Sequence, residues 1–171
     1  MIKMHQKFLT NSSSYLRQQH GAAIVEFALI LTLLITLMAG IFEFGRAFWY
    51  YDAMTKATRD GARLMSVADK TTIASVGVGK AKDQVVFVVT DPDGGARVPD
   101  FTAANVVVTC LDAAFDDSTC TDGAAPGGVR VQITGYNMAI GQFIPFLIGN
   151  SSYSVTLMPP NSPHTSMAYM P

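Results

Sequence analysis

Charge is scarce in this chain. Charged residues make up 15% of its 171 residues, and 12 Lys and Arg against 13 Asp and Glu leave a net charge of −1. No basic stripe interrupts that balance, which argues against a nucleic-acid interface. Phosphate loop, dinucleotide fingerprint and nucleophile elbow are all absent. The three histidines, His5, His20 and His164, fall near the two ends, poor places for a catalytic base. There are two cysteines, Cys110 and Cys120, with no histidine near them, which disfavours zinc. The aspartates Asp91, Asp93, Asp112, Asp116, Asp117 and Asp122 do not follow the spacing of a calcium-binding loop, and acidic loop residues are ordinarily just solvated. The expectation is a protein without catalytic residues, cofactor or metal, one that works by packing.

What is present is one long apolar run. Ala22 to Ile41 has Glu26 as its single charge, and Leu29 to Met38 has none. At about 1.5 Å per residue the run can cross a hydrocarbon core. A buried helix of a soluble protein is the alternative, but such helices are shorter and amphipathic. The preceding residues carry Lys3, Lys7 and Arg17 and no acid, so the positive-inside rule keeps the N-terminus cytoplasmic and exports the rest. Glu43 and Arg46 on the far side favour neither direction. An ordinary secretory signal places its small residues after the apolar region. Here Gly21, Ala22 and Ala23 precede it, so a cut there would leave the anchor attached.

Glu26 invites explanation, since a carboxylate in an apolar span is costly and by default functional. One account pairs it with a charge on a neighbouring molecule. The other lets it snorkel to the headgroups, because it lies only a turn inside the membrane. Ala28, Thr32, Thr36 and Gly40 recur every four residues and could admit a second helix at close range, although small residues are common in such helices anyway.

The stretches Gly21-Ala22-Ala23-Ile24-Val25-Glu26-Phe27-Ala28-Leu29, Gly40-Ile41-Phe42-Glu43-Phe44-Gly45-Arg46-Ala47 and Ala57-Thr58-Arg59-Asp60-Gly61-Ala62-Arg63 together resemble the TadE-like family, minor pilin-like proteins of tight-adherence (Flp) pilus systems. Val129–Ile133 and Phe143–Leu147 resemble it more loosely. The resemblance implies cleavage between Gly21 and Ala22 by a prepilin peptidase. It also implies an assembly role for Glu26 with Phe27, the carboxylate meeting the new amine of a neighbouring subunit. Major Flp pilins are shorter and follow the Glu with Tyr. Phe27 and the large exported part therefore fit a minor or priming subunit better. The implied partners are membrane lipid, the peptidase, other pilin-like subunits and the pilus assembly machinery. The implied location is a bacterial inner membrane, crossed once, with a periplasmic head and the option of incorporation in the pilus. The competing expectation is an uncleaved, membrane-anchored periplasmic scaffold or sensor.

Five segments follow: a basic leader (1–21), a transmembrane helix (22–41), an amphipathic continuation (42–68), an exported β-rich head (69–160) and a loose tail (161–171). Phe44, Ala47, Tyr51, Met54, Thr58, Ala62 and Met65 share one predicted helix face. Asp52, Lys56, Arg59, Asp60 and Arg63 form a charged face, with Asp52–Lys56 and Asp60–Arg63 at pairing distance. The aromatics Phe48 to Tyr51 suit either a membrane interface or packing under the head, and Gly45 could bend the helix there. Gln84–Thr90, Asn105–Cys110, Val129–Thr134 and Tyr153–Leu157 are predicted strands, with a turn at Asp91–Gly95. Ile140–Gly149 is a short helix or an apolar loop broken by Pro145. The fold class is α+β, a long N-terminal helix packed on a small antiparallel sheet in the pilin-like manner. Cys110 and Cys120, both exported into an oxidising compartment, are expected to form a disulfide.

Overall fold

The computed structural model describes residues 13–90, 98–140 and 153–170, and divides into two compact units at the Phe42–Glu43 bond. Helix α1 runs through Ser13–Ser66, 54 residues without proline, and continues through Gly45. In the first unit its apolar side chains, from Ile24 to Ile41, lie on the surface. That pattern fits a membrane anchor, because monomeric soluble folds rarely leave so many large apolar side chains uncovered.

In the second unit α1 is amphipathic. Ala53, Met54, Ala57, Thr58, Ala62 and Met65 are buried on one face. Two residues expected on that face are not there: Phe44 and Tyr51 are exposed. The buried stripe instead begins at Glu43, one residue before Phe44, and Tyr50 rather than Tyr51 packs on the core. On the charged face Lys56 meets Asp52 at 2.7 Å, while the Asp60–Arg63 pair is not formed. The end of α1 is closed by its own last residue and by two distant ones. Ser66 Oγ donates to Arg63 O, Met170 N to Ser66 O and Tyr169 Oη to Ala68 O, which satisfies carbonyls a helix terminus leaves open.

A 3₁₀ turn (Lys70–Thr72) capped by Asp69 and a π-helical turn (Ile73–Gly77) lead into α2, Val78–Val89. This corrects the strand expected at Gln84–Thr90. The run is the second half of a helix. Ala81, Val85 and Val89 recur at four-residue spacing and are all buried, while Phe87 is exposed. A valine-rich run of seven residues carries no periodicity that separates strand from helix, and packing against α1 overrides the β propensity of valine. Gly61 makes that packing close: a Cβ there would stand 2.6 Å from Val85 Cγ2 and 3.3 Å from Ala81 O.

The other three predicted strands are present, at Val106–Leu111 (β1), Gly128–Ile133 (β3) and Tyr153–Leu157 (β5). Three more were not anticipated: β2 (Asp117–Ser118), β4 (Tyr136–Ile140) and β6 (His164–Ala168). An antiparallel four-stranded sheet has the order β2-β1-β3-β6, and β4 pairs with β5 in a separate ribbon. Strand β6 corrects the loose tail. It is hydrogen-bonded along β3 from Gly128↔Ala168 to Gln132↔His164, and Thr165 Oγ lies 3.0 Å from Thr58 Oγ on α1. Proline and serine around 161–163 suggested a tail, but they form the turn that delivers the strand. The expected turn at Asp91–Gly95 and residues 141–149 of the apolar stretch lie outside the described residues; Ile140 ends β4.

Val106, Val131 and Ile133 of the sheet, Val85 and Val89 of α2, and Ala53, Met54, Ala57 and Ala62 of α1 form the main core, joined by Tyr136 and Met138 of β4. Alternation on β3 explains the sheet's two faces: Val129, Val131 and Ile133 are buried, while Arg130 and Gln132 between them are partly exposed. Arg130 reaches Ser166 and Asp117 across the outer face.

Candidate functional site

The sequence directs attention to the first unit. Gly21 and Ala22 lie within α1 and are exposed, and a Cβ built on Gly21 would meet nothing within 4 Å. Glu26 and Phe27 are exposed one turn further on. Ala28, Thr32, Thr36 and Gly40 follow at four-residue spacing in the same helix, which sets them in a row along one side. Thr32 Oγ donates to Ala28 O at 2.7 Å and Thr36 Oγ to Thr32 O at 2.8 Å. Each threonine thus satisfies its own hydroxyl on the preceding turn.

Two functional groups were missed. Glu43 is 4% exposed, and its Oε1 accepts from Arg46 Nη2 at 2.6 Å. The same nitrogen donates to Ala139 O of β4 at 2.9 Å, and the guanidinium lies 5.7 Å from the Tyr50 ring centroid. Burial alone would lower the Arg46 pKa; the hydrogen bond and charge of Glu43 outweigh it and leave Arg46 above its ordinary value. The pair therefore clips the start of α1 in the head to the β4–β5 ribbon. The available signal was an opposite-charge pair at i, i+3 directly after a long uncharged run. Weighed only as flanking charges for membrane orientation, the two cancel, so the pair went unread.

Cys110 of β1 and Cys120 are joined, Cα to Cα 5.0 Å. The bridge ties the Asp112–Thr121 loop down beside the π-helical turn. There Asp122 Oδ1 accepts from Ala74 N at 2.7 Å and from Ser75 N at 3.2 Å. Hydrogen bonding from Ser75, side chain first and then backbone, with Ala74 N behind it, holds the Asp122 carboxyl below the usual range. Asp112 similarly caps its own loop, accepting from Ala114 N and Asp116 N. These aspartates are engaged with backbone amides. Among the described residues no three His, Cys, Asp or Glu side chains converge as a metal site would require.

The deciding observation is therefore an exposed apolar helix with a carboxylate at its edge, leading directly into a helix-and-sheet head. Residues 21–63 match the TadE-like protein family. The matching segment begins at Gly21, spans the apolar run and ends in the part of α1 that packs under the sheet, about a quarter of the chain. No curated protein and no solved structure matches the chain. The TadE-like segment links the protein to tight-adherence pilus systems, and α1 is long and apolar enough to serve as a membrane anchor.

Proposed function

We propose that the protein is a minor pilin-like subunit of a tight-adherence pilus. It acts in assembly by helix packing once a leader ending at Gly21 is removed. The observation that carries this is Glu26, the one carboxylate on an otherwise uncharged, surface-exposed stretch of the TadE-like segment, five residues after an open glycine. Cleavage at Gly21 creates an amine at Ala22. Amine and carboxylate each cost several kcal/mol to bury alone, and neighbouring subunits staggered along a filament could each supply the other's counter-charge. The Ala28–Gly40 row offers the close approach such packing needs. In this scheme the head is periplasmic and the partners are the prepilin peptidase, other pilin-like subunits and the assembly machinery.

The test joins processing to assembly. N-terminal sequencing of membrane-extracted protein, with the pilus peptidase present, is expected to begin at Ala22, and replacing Gly21 with a bulky residue is expected to leave full-length protein. Glu26→Gln is expected to insert normally but to lose co-purification with partner subunits and to reduce pilus counts. An intact Met1 on all of the wild-type protein would favour the uncleaved scaffold or sensor. Normal assembly with Glu26→Gln would reduce Glu26 to a headgroup-level residue.

A further inference from the structure

Between Glu26 and Asp52 the only charged residues are Glu43 and Arg46. Both turn into the head: their side chains are 5% and 18% exposed, and Arg46 is bonded to Glu43 and to the Ala139 carbonyl. Residues 27–51 consequently present no net charge to their surroundings. What they present beyond the apolar run is aromatic. Phe42, Phe44, Phe48, Trp49 and Tyr51 are all exposed, Phe44 by 68%, Phe48 by 73% and Trp49 by 53%. The β4–β5 ribbon adds a further exposed ring through its link to Arg46. Arg46 holds Ala139, Ala139 pairs with Ser154, and the next residue, Tyr153, pairs with Ile140 and is 62% exposed. The first outward charges past this belt are Asp52 and Lys56, paired with each other.

We propose that this belt, Phe44, Phe48, Trp49 and Tyr153, is a membrane-docking surface that holds the base of the head in the headgroup zone of the bilayer. A hydrocarbon core takes about 20 helical residues, which 22–41 supply, so Phe44 to Tyr51 follow at headgroup depth. Trp and Tyr concentrate there because an apolar ring with one polar atom suits a boundary between lipid and water. The occupant is lipid rather than a second helix, because close helix contacts in membranes use small residues. Those lie in the Ala28–Gly40 row, whereas the belt is built of the largest side chains the chain has. Burying Glu43 against Arg46 is what makes docking feasible, since an outward carboxylate at that depth would oppose it. The Arg46–Ala139 bond holds the ribbon beside this part of α1, which brings Tyr153 into the belt.

Trp49 is the only tryptophan, so the full-length protein reports on itself. It is reconstituted in phosphatidylcholine–phosphatidylglycerol vesicles containing lipids spin-labelled either at the headgroup or near the chain end. The expected result is a blue-shifted Trp49 emission, quenched several-fold more by the headgroup label than by the chain-end label and poorly by aqueous acrylamide. In a Trp49→Phe/Tyr153→Trp variant the new tryptophan is expected to show the same order of quenching, which tests the ribbon independently of the helix. Full acrylamide access at either position would overturn the proposal. So would protection that appears only at high protein-to-lipid ratio, since a second copy would then be the occupant. The readout is indifferent to leader removal and to pilus assembly, so its failure and the failure of the pilin-like assignment are separable.

Discussion

Gly61 stands where α1 meets α2, and its missing Cβ has a measurable consequence. Valine there would drive atoms into Val85, a stiff β-branched side chain with no exposed surface, and into the Ala81 carbonyl. Overpacking of this kind costs about 1–3 kcal/mol, and valine brings no compensating gain near that of alanine in a helix. Gly61→Val is expected to lower the chemical denaturation midpoint of the head; an unchanged midpoint would mean α2 can move away freely. Tyr136 makes a second residue-scale point. Its hydroxyl donates to Pro99 O at 3.0 Å, and its ring lies 5.9 Å from that of Phe101. Burial pushes its pKa up from 10.0 to about 12. The folded state therefore retains a proton that the unfolded chain has released, so Tyr136 contributes stability that is fully present below pH 10 and lost as pH rises toward 12. Tyr136→Phe is expected to flatten the fall of unfolding free energy across that window relative to wild type. Equal slopes in the two proteins would contradict it.

At the scale of elements, the Glu43–Arg46 pair links α1 to β4, and the two single substitutions should be worse than the double. Arg46→Met removes a charge-assisted donor from the buried Glu43 carboxylate, a loss of about 3 kcal/mol, and also removes the Ala139 contact. Replacing both partners by apolar residues of similar size removes the desolvation cost together with the attraction, which is often close to neutral. The head of Glu43→Leu/Arg46→Met is therefore expected to unfold at higher denaturant than that of Arg46→Met alone. A double variant less stable than the single would mean that the pair is net stabilising beyond mutual neutralisation.

For the whole head, stability rests on contacts between segments distant in the chain. Strand β6 completes the sheet, its neighbours Tyr169 and Met170 close the end of α1, and the Cys110–Cys120 bridge holds the intervening loop. A loop of this length restricts the unfolded chain by about 2–3 kcal/mol in the entropic account. Cys110→Ala/Cys120→Ala is expected to lose about that much, and reductant is expected to shift the unfolding of wild type but not of the variant. Cys110 is buried against Met65, Ile73 and Val129, so the alanine variant carries a small cavity as well. Insensitivity of wild type to reductant would show that the bridge contributes nothing.

The apolar anchor was legible from the sequence because a run from Ala22 to Ile41 with one charge has few physical alternatives. Strands β3 and β5 were legible because their alternation is a local property. The TadE-like segment was legible from side chains that sit on one continuous helix, where spacing along the chain is spacing in space. Tertiary structure decided the rest. Gln84–Thr90 became helix because Gly61 lets α2 pack on α1, a contact between residues more than twenty apart. Residues 164–168 became a strand because β3 offers an open edge, which no local pattern in His-Thr-Ser-Met-Ala announces. Glu43 and Arg46 turned inward because the carbonyl of Ala139, brought to them by the ribbon, gives the guanidinium a second acceptor. Burial of a charge is settled by what partners the fold delivers, and those partners are distant in sequence.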